Sequence, residues 1–284
     1  MLEAFGGRLG KTDCEKLLFL FCNITQRDYY DFFPYHYGAF SLVSYYDKNF
    51  LTRTGFLEDS EDFSLARNES FISQLKCDDK RALLAFVTEV KVRGNALIKK
   101  VYQEYPYFAL KSKITSRVLN PDQLRLSKNL HWNFDNTPCL FTLGYEGLSI
   151  DAYLNKLIAN NIHVLVDVRN NPFSMKYGFS NPRFRNYIAN IGIKYHHFPQ
   201  LGIPSKLRKG LGTTQSYTSL FTFYEREILP QNIVYLEKIK QFVQEQSRVA
   251  LTCFEADYHF CHRQKIVQYL EKSQGFDGRI LHLD

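Results

Sequence analysis

Two textures of hydrophobic patterning divide the chain. In residues 1–118 apolar positions recur at helical spacing between short turns: in CEKLLFLFCNIT, Leu17, Leu18, Phe21 and Cys22 fall on one face, and KRALLAFVTEVKVRGNALIKKVYQEY reads as one long amphipathic helix. Residues 119–137, LNPDQLRLSKNLHWNFDNT, are polar and weakly periodic and read as a linker. From Pro138 onward short apolar runs alternate with amphipathic segments. CLFTLGYEG predicts a strand running into a glycine-bracketed turn, IHVLVDVR a strand too apolar for a surface position, and IKYHHFP and RVALTCFEA two more strands. Helices are predicted over SIDAYLNKLIANN, PRFRNYIANIG, the region around 216–247, and HRQKIVQYLEKSQ. Apolar strands alternating with helices predict a mostly parallel sheet covered on both faces. The expected class is α/β: a mainly helical domain (1–118), a linker (119–137) and an α/β domain (138–284).

Length supports this division, because 284 residues exceed the usual single domain. No internal repeat or low-complexity tract interrupts the pattern. With 45% apolar and 23% charged residues the composition is that of a soluble globular protein, and a formal charge of +7 favours an anionic partner without forming a polybasic stripe. No apolar run reaches the roughly 18 residues of a membrane helix. The first residues, MLEAFGGRLGKTDCEK, carry no hydrophobic leader, so no membrane partner and a cytoplasmic location are expected. Six cysteines without a disulfide framework read as thiols, most of them small buried hydrophobes.

Candidate chemistry collects where ligands of parallel sheets bind, beyond the strand C-termini. Tyr145 and Glu146 follow the first strand, Asp167 and Arg169 the second, and the run Cys253 to Arg263 the last. That run, CFEADYHFCHR, admits three readings. As a metal site, Cys253, His259, Cys261 and His262 give C-x5-H-x-C-H, which matches no closed zinc spacing, and the adjacent Cys261 and His262 point apart on any regular backbone. Burial of Cys253 in its strand and of Cys261 beneath the loop is preferred, and no metal or cofactor is assigned. As a nucleophile loop the run lacks C-x5-R, although a helix beginning at Cys261 would lower that thiol's pKa. As an anion clamp it needs the fewest assumptions: His262 and Arg263 open a helix with free backbone N–H groups, and Arg169 adds a bidentate fork. The plain alternative is an Arg169 ion pair with Glu255 or Asp167 that only fixes the loops. In the clamp reading Asp167 and Glu255 are the candidate acid and base for a phosphate or glycosidic bond, and Tyr145 orients or stacks on the ligand.

Two loops add basic residues. In 170–183, Phe173, Tyr177 and Phe179 interleave with Lys176 and Arg183, either as a stacking surface for bases or as a satellite hydrophobic cluster. Lys206, Arg208 and Lys209 in KLRKGLGTT contact phosphate or are simply solvated; taken alone, solvated is the better reading.

Four ordered motifs, TLGYEG (142–147), LVDVRNNPFSMKYGFS (165–180), GIKYHHFPQLG (192–202) and LTCFEADYHFCHR (251–263), resemble the family catalogued as domain of unknown function 488. The resemblance covers roughly 138–284 and implies that Tyr145, Asp167, Arg169, Pro172, Phe179, Ser180, Glu255, Cys261, His262 and Arg263 hold signature positions. It adds Ser180 to Tyr145, Arg169, His262 and Arg263 as ligand- or anion-binding residues. In the first half, TDCEKLLFLFCNI followed by YDFFPYHYGAFSLVSYYDKNFLTRTGFLE is similar to winged-helix-like domains related to SocA-type antitoxins, with Ala39 in the usual proline position. Such a domain implies contact with DNA or a protein, while Glu58, Asp59, Glu61 and Asp62 oppose a wholly DNA-facing surface.

The expectation is a nucleic-acid-associated protein, with DNA preferred to RNA, serving as a hydrolase or sensor on DNA or a nucleotide in genome maintenance or defence. The alternatives are a non-enzymatic antitoxin-like regulator binding a protein or small nucleotide, and a metal- or thiol-dependent enzyme on a small substrate.

Overall fold

The computed structural model describes residues 1–67, 69–129, 136–208, 214–245, 248–273, 276 and 278–283. The chain divides into two compact units, Met1–Asn133 and Phe134–Asp284.

The first unit is built from β1 (Arg8–Leu9), α1 (Lys11–Thr25), β2 (Phe33–Tyr35), β3 (Gly38–Phe40), α2 (Leu42–Arg53), β4 (Phe63–Ser64), α3 (Cys77–Glu89), α4 (Gly94–Glu104), α5 (Thr115–Val118) and α6 (Pro121–Asn129). Strand β1 pairs antiparallel with β4, and β2 with β3. Its core gathers Cys14, Leu17, Phe19 and Leu20 of α1 against Phe86, Leu97 and Val101. Leu18, expected on the buried face, lies at its margin, and Phe19 takes the central place with Phe32, Tyr105 and Phe108 set edge-on around it. A buried ion pair runs through this core: Lys16 lies 3.2 Å from Glu15 and donates to the Ala39 carbonyl at 2.7 Å, and the Tyr45 hydroxyl donates to Glu15.

Two local expectations change here. The single long helix expected near 80–105 is two, because the chain turns at Val90–Arg93 and Gly94 takes a left-handed φ of +56° that a side chain rarely adopts. The segment read as a linker carries α6, whose start is a reciprocal cap: the Gln123 N–H donates to Asn120 Oδ1 at 2.8 Å and the Asn120 N–H to Gln123 Oε1 at 3.2 Å. Residues 130–135 of that segment lie outside the described residues.

The second unit carries β5 (Cys139–Gly144), α7 (Ile150–Ala159), β6 (Val164–Asp167), α8 (Arg183–Asn190), β7 (Lys194–His197), α9 (Thr214–Phe223), α10 (Ile233–Gln244), β8 (Arg248–Cys253), α11 (Arg263–Lys272) and β9 (Arg279–Leu283). The five strands form one sheet in the order β7-β6-β8-β5-β9, and every pair is parallel. Their residues explain the arrangement: β5, β6 and β8 are buried along their whole length, so they need cover on both faces. The edge strand β9 was not expected from the pattern. Among the described residues no helix is long and apolar enough to cross a membrane.

Topology also fixes where chemistry can sit. The β5-to-β6 connection passes over the position of β8, and the β8-to-β9 connection leaves in the opposite direction past β5. The C-terminal end of β8 is therefore the switch point of the sheet, where departing loops diverge and leave a crevice.

Candidate metal centre

Beyond β8 the chain does not continue straight. Tyr145 N–H and Glu146 N–H both donate to the Phe254 carbonyl, at 3.1 and 2.9 Å, and Glu146 accepts from Ala256 N–H at 3.0 Å. Gly144 permits this close approach, because a Cβ there would collide with the Glu255 carbonyl. Asp257 then caps a short turn over Tyr258–Phe260 by accepting from His259 N–H at 2.8 Å. After that turn Cys261 is extended (φ −120°, ψ 141°) and His262 returns to helical angles (φ −61°, ψ −13°) before α11 begins.

This break in the backbone brings four donors together. One ligand atom each from Cys253, Glu255, Cys261 and His262 lie within 4.8 Å of one another. His262 Nδ1 is 3.9 Å from Cys253 Sγ and 3.8 Å from Cys261 Sγ, and Cys253 Sγ is 3.1 Å from Glu255 Oε2. Sulfur and nitrogen ligands sharing one tetrahedral zinc lie about 3.5 Å apart, from bonds of about 2.3 and 2.0 Å. The two sulfur–nitrogen distances are close to that value, so these three donors need little movement to share one ion.

The imidazole is also set for ligation. Its Nε2 meets the Val168 carbonyl at 3.1 Å, and a carbonyl only accepts, so in the neutral ring the proton is on Nε2 and Nδ1 presents a lone pair. This outer contact is what metal-bound histidines use to hold their ring. Arg263 supports the neighbouring sulfur: fully buried, it donates from Nε to Cys261 Sγ at 3.2 Å and from its terminal nitrogen to the Glu255 carbonyl. Its other terminal nitrogen is buried without a hydrogen-bond partner among the described residues.

Charge is concentrated at the mouth. Arg208 donates to Glu255 Oε1 at 2.7 Å and lies 3.4 Å from His262 Nδ1. Burial by itself would raise the Glu255 carboxyl, but Arg208 first, then His262 and the hydrogen bonds from Cys253 and the backbone, together outweigh it and bring the carboxyl down to about 2. The Cys253 thiol is held well above its ordinary range, first by its hydrogen bond with Cys261 and then by complete burial. A cysteine so held is no thiolate nucleophile without a cation beside it. A cavity of about 140 Å³ opens over Glu255 and His262, with Arg208 and aromatic side chains on its walls.

The structure separates the residues that the sequence suggested for one cleft. Asp167 and Arg169 are both buried and bind each other bidentately, with Nε at 2.8 Å from Oδ1 and a terminal nitrogen at 2.6 Å from Oδ2. Tyr195 donates to the same carboxylate at 2.7 Å. The remaining Arg169 nitrogen donates to the Tyr145 hydroxyl and the Phe179 carbonyl, at 3.1 and 2.9 Å. Burial opposes the charge on Arg169, and the pairing with Asp167 overcomes it, holding the guanidinium above its usual range. Tyr145 stacks on Phe179 with ring centres 4.3 Å apart, leaving no free face for a ligand on that side. Ser180 staples its own loop, donating to the Ser174 carbonyl at 2.6 Å. Asp167 thus does not reach the cavity, and Arg169 and Arg263 are not the open clamp expected. Their loops nevertheless touch the centre, because Val168, between Asp167 and Arg169, supplies the carbonyl that fixes His262.

His259, part of the C-x5-H-x-C-H set, is exposed and paired with Asp257. Glu255 takes its place. The objection that Cys261 and His262 point apart holds for a regular backbone, and the chain there is irregular. A signal was present in the spacing: Cys253 and Glu255 stand two apart at a strand end, on the same side of the extended chain. Arg208 belonged to a segment read as solvated, and its sequence neighbour Lys209 lies outside the described residues.

Residues 149–270 match the model of a family described as a domain of unknown function, DUF488. The match runs from the Ser149 cap of α7 to Leu270 near the end of α11, so it contains all four donors, Arg208 and Arg263, while Tyr145 falls outside it. No curated protein and no solved structure matches the chain.

Proposed function

We propose that the DUF488-matching region is a metal-dependent hydrolase centred on Cys253, Cys261 and His262, with Glu255 as its proton-moving carboxylate. The observation that carries this reading is the four-donor cluster within 4.8 Å whose histidine already presents a lone pair inward. Two sulfurs and an imidazole select a soft or borderline divalent ion, zinc before any other. Such an ion, when bound, acts as a Lewis acid and lowers the pKa of an adjacent water.

The chain's own residues supply the rest. Glu255, 22% exposed and facing the cavity, is placed to take a proton from the attacking water. The water oxygen bonds to the electrophilic centre of the substrate, the bond to the leaving group breaks, and Glu255 returns the proton to that group. The Val168 carbonyl and Arg263 hold the nitrogen and sulfur ligands in place from outside the cavity. The exposure of Glu255 favours catalysis over a closed structural site, since structural zinc shells leave no position open.

The substrate class foreseen from the sequence, a nucleic acid or nucleotide, stays within the proposal, supported by the net charge of +7 and by Arg208 at the cavity wall. The first unit is proposed to dock DNA or a protein in the manner of winged-helix modules, supported by its resemblance alone.

The test is metal content of the full chain, purified without chelator, by mass spectrometry. About one zinc per chain is expected, lost in Cys261→Ser, together with zinc-dependent release of product from a panel of ester, amide and phosphoester substrates. Equal, sub-stoichiometric metal in the native chain and the variant would overturn the proposal.

A further inference from the structure

The cavity beside the centre is built from two unlike walls. One is aromatic: Tyr217 and Phe260 meet edge-on with centres 5.8 Å apart, and Phe221 lies 6.1 Å from Tyr217. The other is polar, formed by Glu255, His262 and Arg208. Arg208 is one-third exposed, so it is open enough to meet a ligand and shielded enough for that contact to count.

The partners that Arg208 uses are Glu255 Oε1 and His262 Nδ1. The second is assigned to the ion as a ligand, and the first belongs to the proton-moving carboxylate beside it. An ion that takes the Nδ1 lone pair removes one of them outright, and drawing Glu255 toward the ion or the attacking water weakens the other. The planar guanidinium then faces the cavity with donors unspent, and a partly buried cation in that state needs a new acceptor. A carboxylate or phosphate supplies two oxygens in the geometry that the fork matches.

Resting on the metal reading above, we infer that the substrate is a small molecule with a flat apolar body and one carboxylate or phosphate group. Arg208 receives the anion, and Tyr217, Phe221 and Phe260 receive the flat body. The anion also relieves Glu255 of its ion pair, so binding of the correct substrate frees the carboxylate for proton transfer. A neutral analogue fills the aromatic wall and leaves the Arg208–Glu255 pair closed.

Calorimetric titration of the full, zinc-loaded chain with benzoate and with neutral benzamide tests this, after zinc content has been read on the same sample. Benzoate is expected to bind at least about tenfold more tightly than benzamide, and Arg208→Gln to abolish that difference. Arg208→Lys, which keeps the charge and loses the fork, is expected to retain only part of it. Equal affinity for the two probes in the native chain overturns the inference whether or not the variants fold. Benzoate binding unchanged in Arg208→Gln places the anion on the ion itself and overturns it too. If the loaded chain holds zinc yet fails these comparisons, the metal reading stands and only the substrate class falls. A chain that holds no zinc removes both.

Discussion

The imidazole of His262 and the carbonyl of Val168 meet at 3.1 Å, and that contact decides which nitrogen faces the sulfurs. Val168 is held in turn by the buried pair formed by its two neighbours, Asp167 and Arg169. The ion pair, the carbonyl, the ring and the donor cluster form one chain of dependence. Replacing His262 with glutamine keeps a donor for Val168 but removes the aromatic lone pair. Zinc per chain should drop to background in elemental analysis while the far-ultraviolet circular dichroism is unchanged; stoichiometric zinc in this variant would take His262 out of the ligand set.

Arg169→Lys probes the brace. Lysine cannot reproduce the two contacts to Asp167 together with those to Tyr145 and Phe179, so buried acceptors lose their partners. Urea unfolding should show a loss of about 3–5 kcal/mol, the usual result of breaking a buried pair. Zinc affinity should fall about 10–100-fold in a competition assay, the range for outer-shell partners, although Arg169 touches none of the four donors. Unchanged affinity in a folded variant would disconnect the brace from the centre.

Gly144→Ala tests the close packing of β5 under the Glu255 loop. The added methyl needs the space of the Glu255 carbonyl, which Arg263 also binds, so the backbone must move. Stability should fall by about 1–3 kcal/mol in denaturant titration, with weaker zinc binding alongside. A variant equal to the native chain in both measurements would show that the loop has room to spare.

In the first unit burial holds the Cys14 thiol up at about 12, with the charge of Glu15 adding to it, and burial raises the Tyr102 phenol to about 12. Their ordinary values are 9.0 and 10.0. Over the interval between, the unfolded chain has released protons that the folded chain still holds, so rising pH favours unfolding. The contribution is intact below about pH 9 and is lost toward about pH 12. Urea midpoints taken from about pH 8 to about pH 11 should decline, and Cys14→Ala with Tyr102→Phe should decline less steeply.

Much of the fold was legible because its determinants are local. The apolar runs over 139–144, 164–167 and 248–253 became strands, and the amphipathic stretches between them became helices, since periodicity and length decide those elements. The Asn120–Gln123 cap was equally local and was overlooked within a polar segment. Strand β9 was harder, because a half-buried edge strand has no strong pattern of its own and owes its conformation to β5 beside it.

The centre divides along the same line. Sequence by itself determined that Glu255, Cys261, His262 and Arg263 would gather beyond the last long strand, because parallel strands present their C-terminal loops at one edge. Only the tertiary structure decided what they do there. Whether Cys261 and His262 converge depends on one irregular turn, whether Arg169 meets a ligand or Asp167 depends on burial, and the tautomer of His262 depends on a carbonyl 94 residues earlier in the chain. Each is a matter of a few ångströms, where packing, desolvation and hydrogen-bond geometry rule, and none of the three is written in the local order of residues.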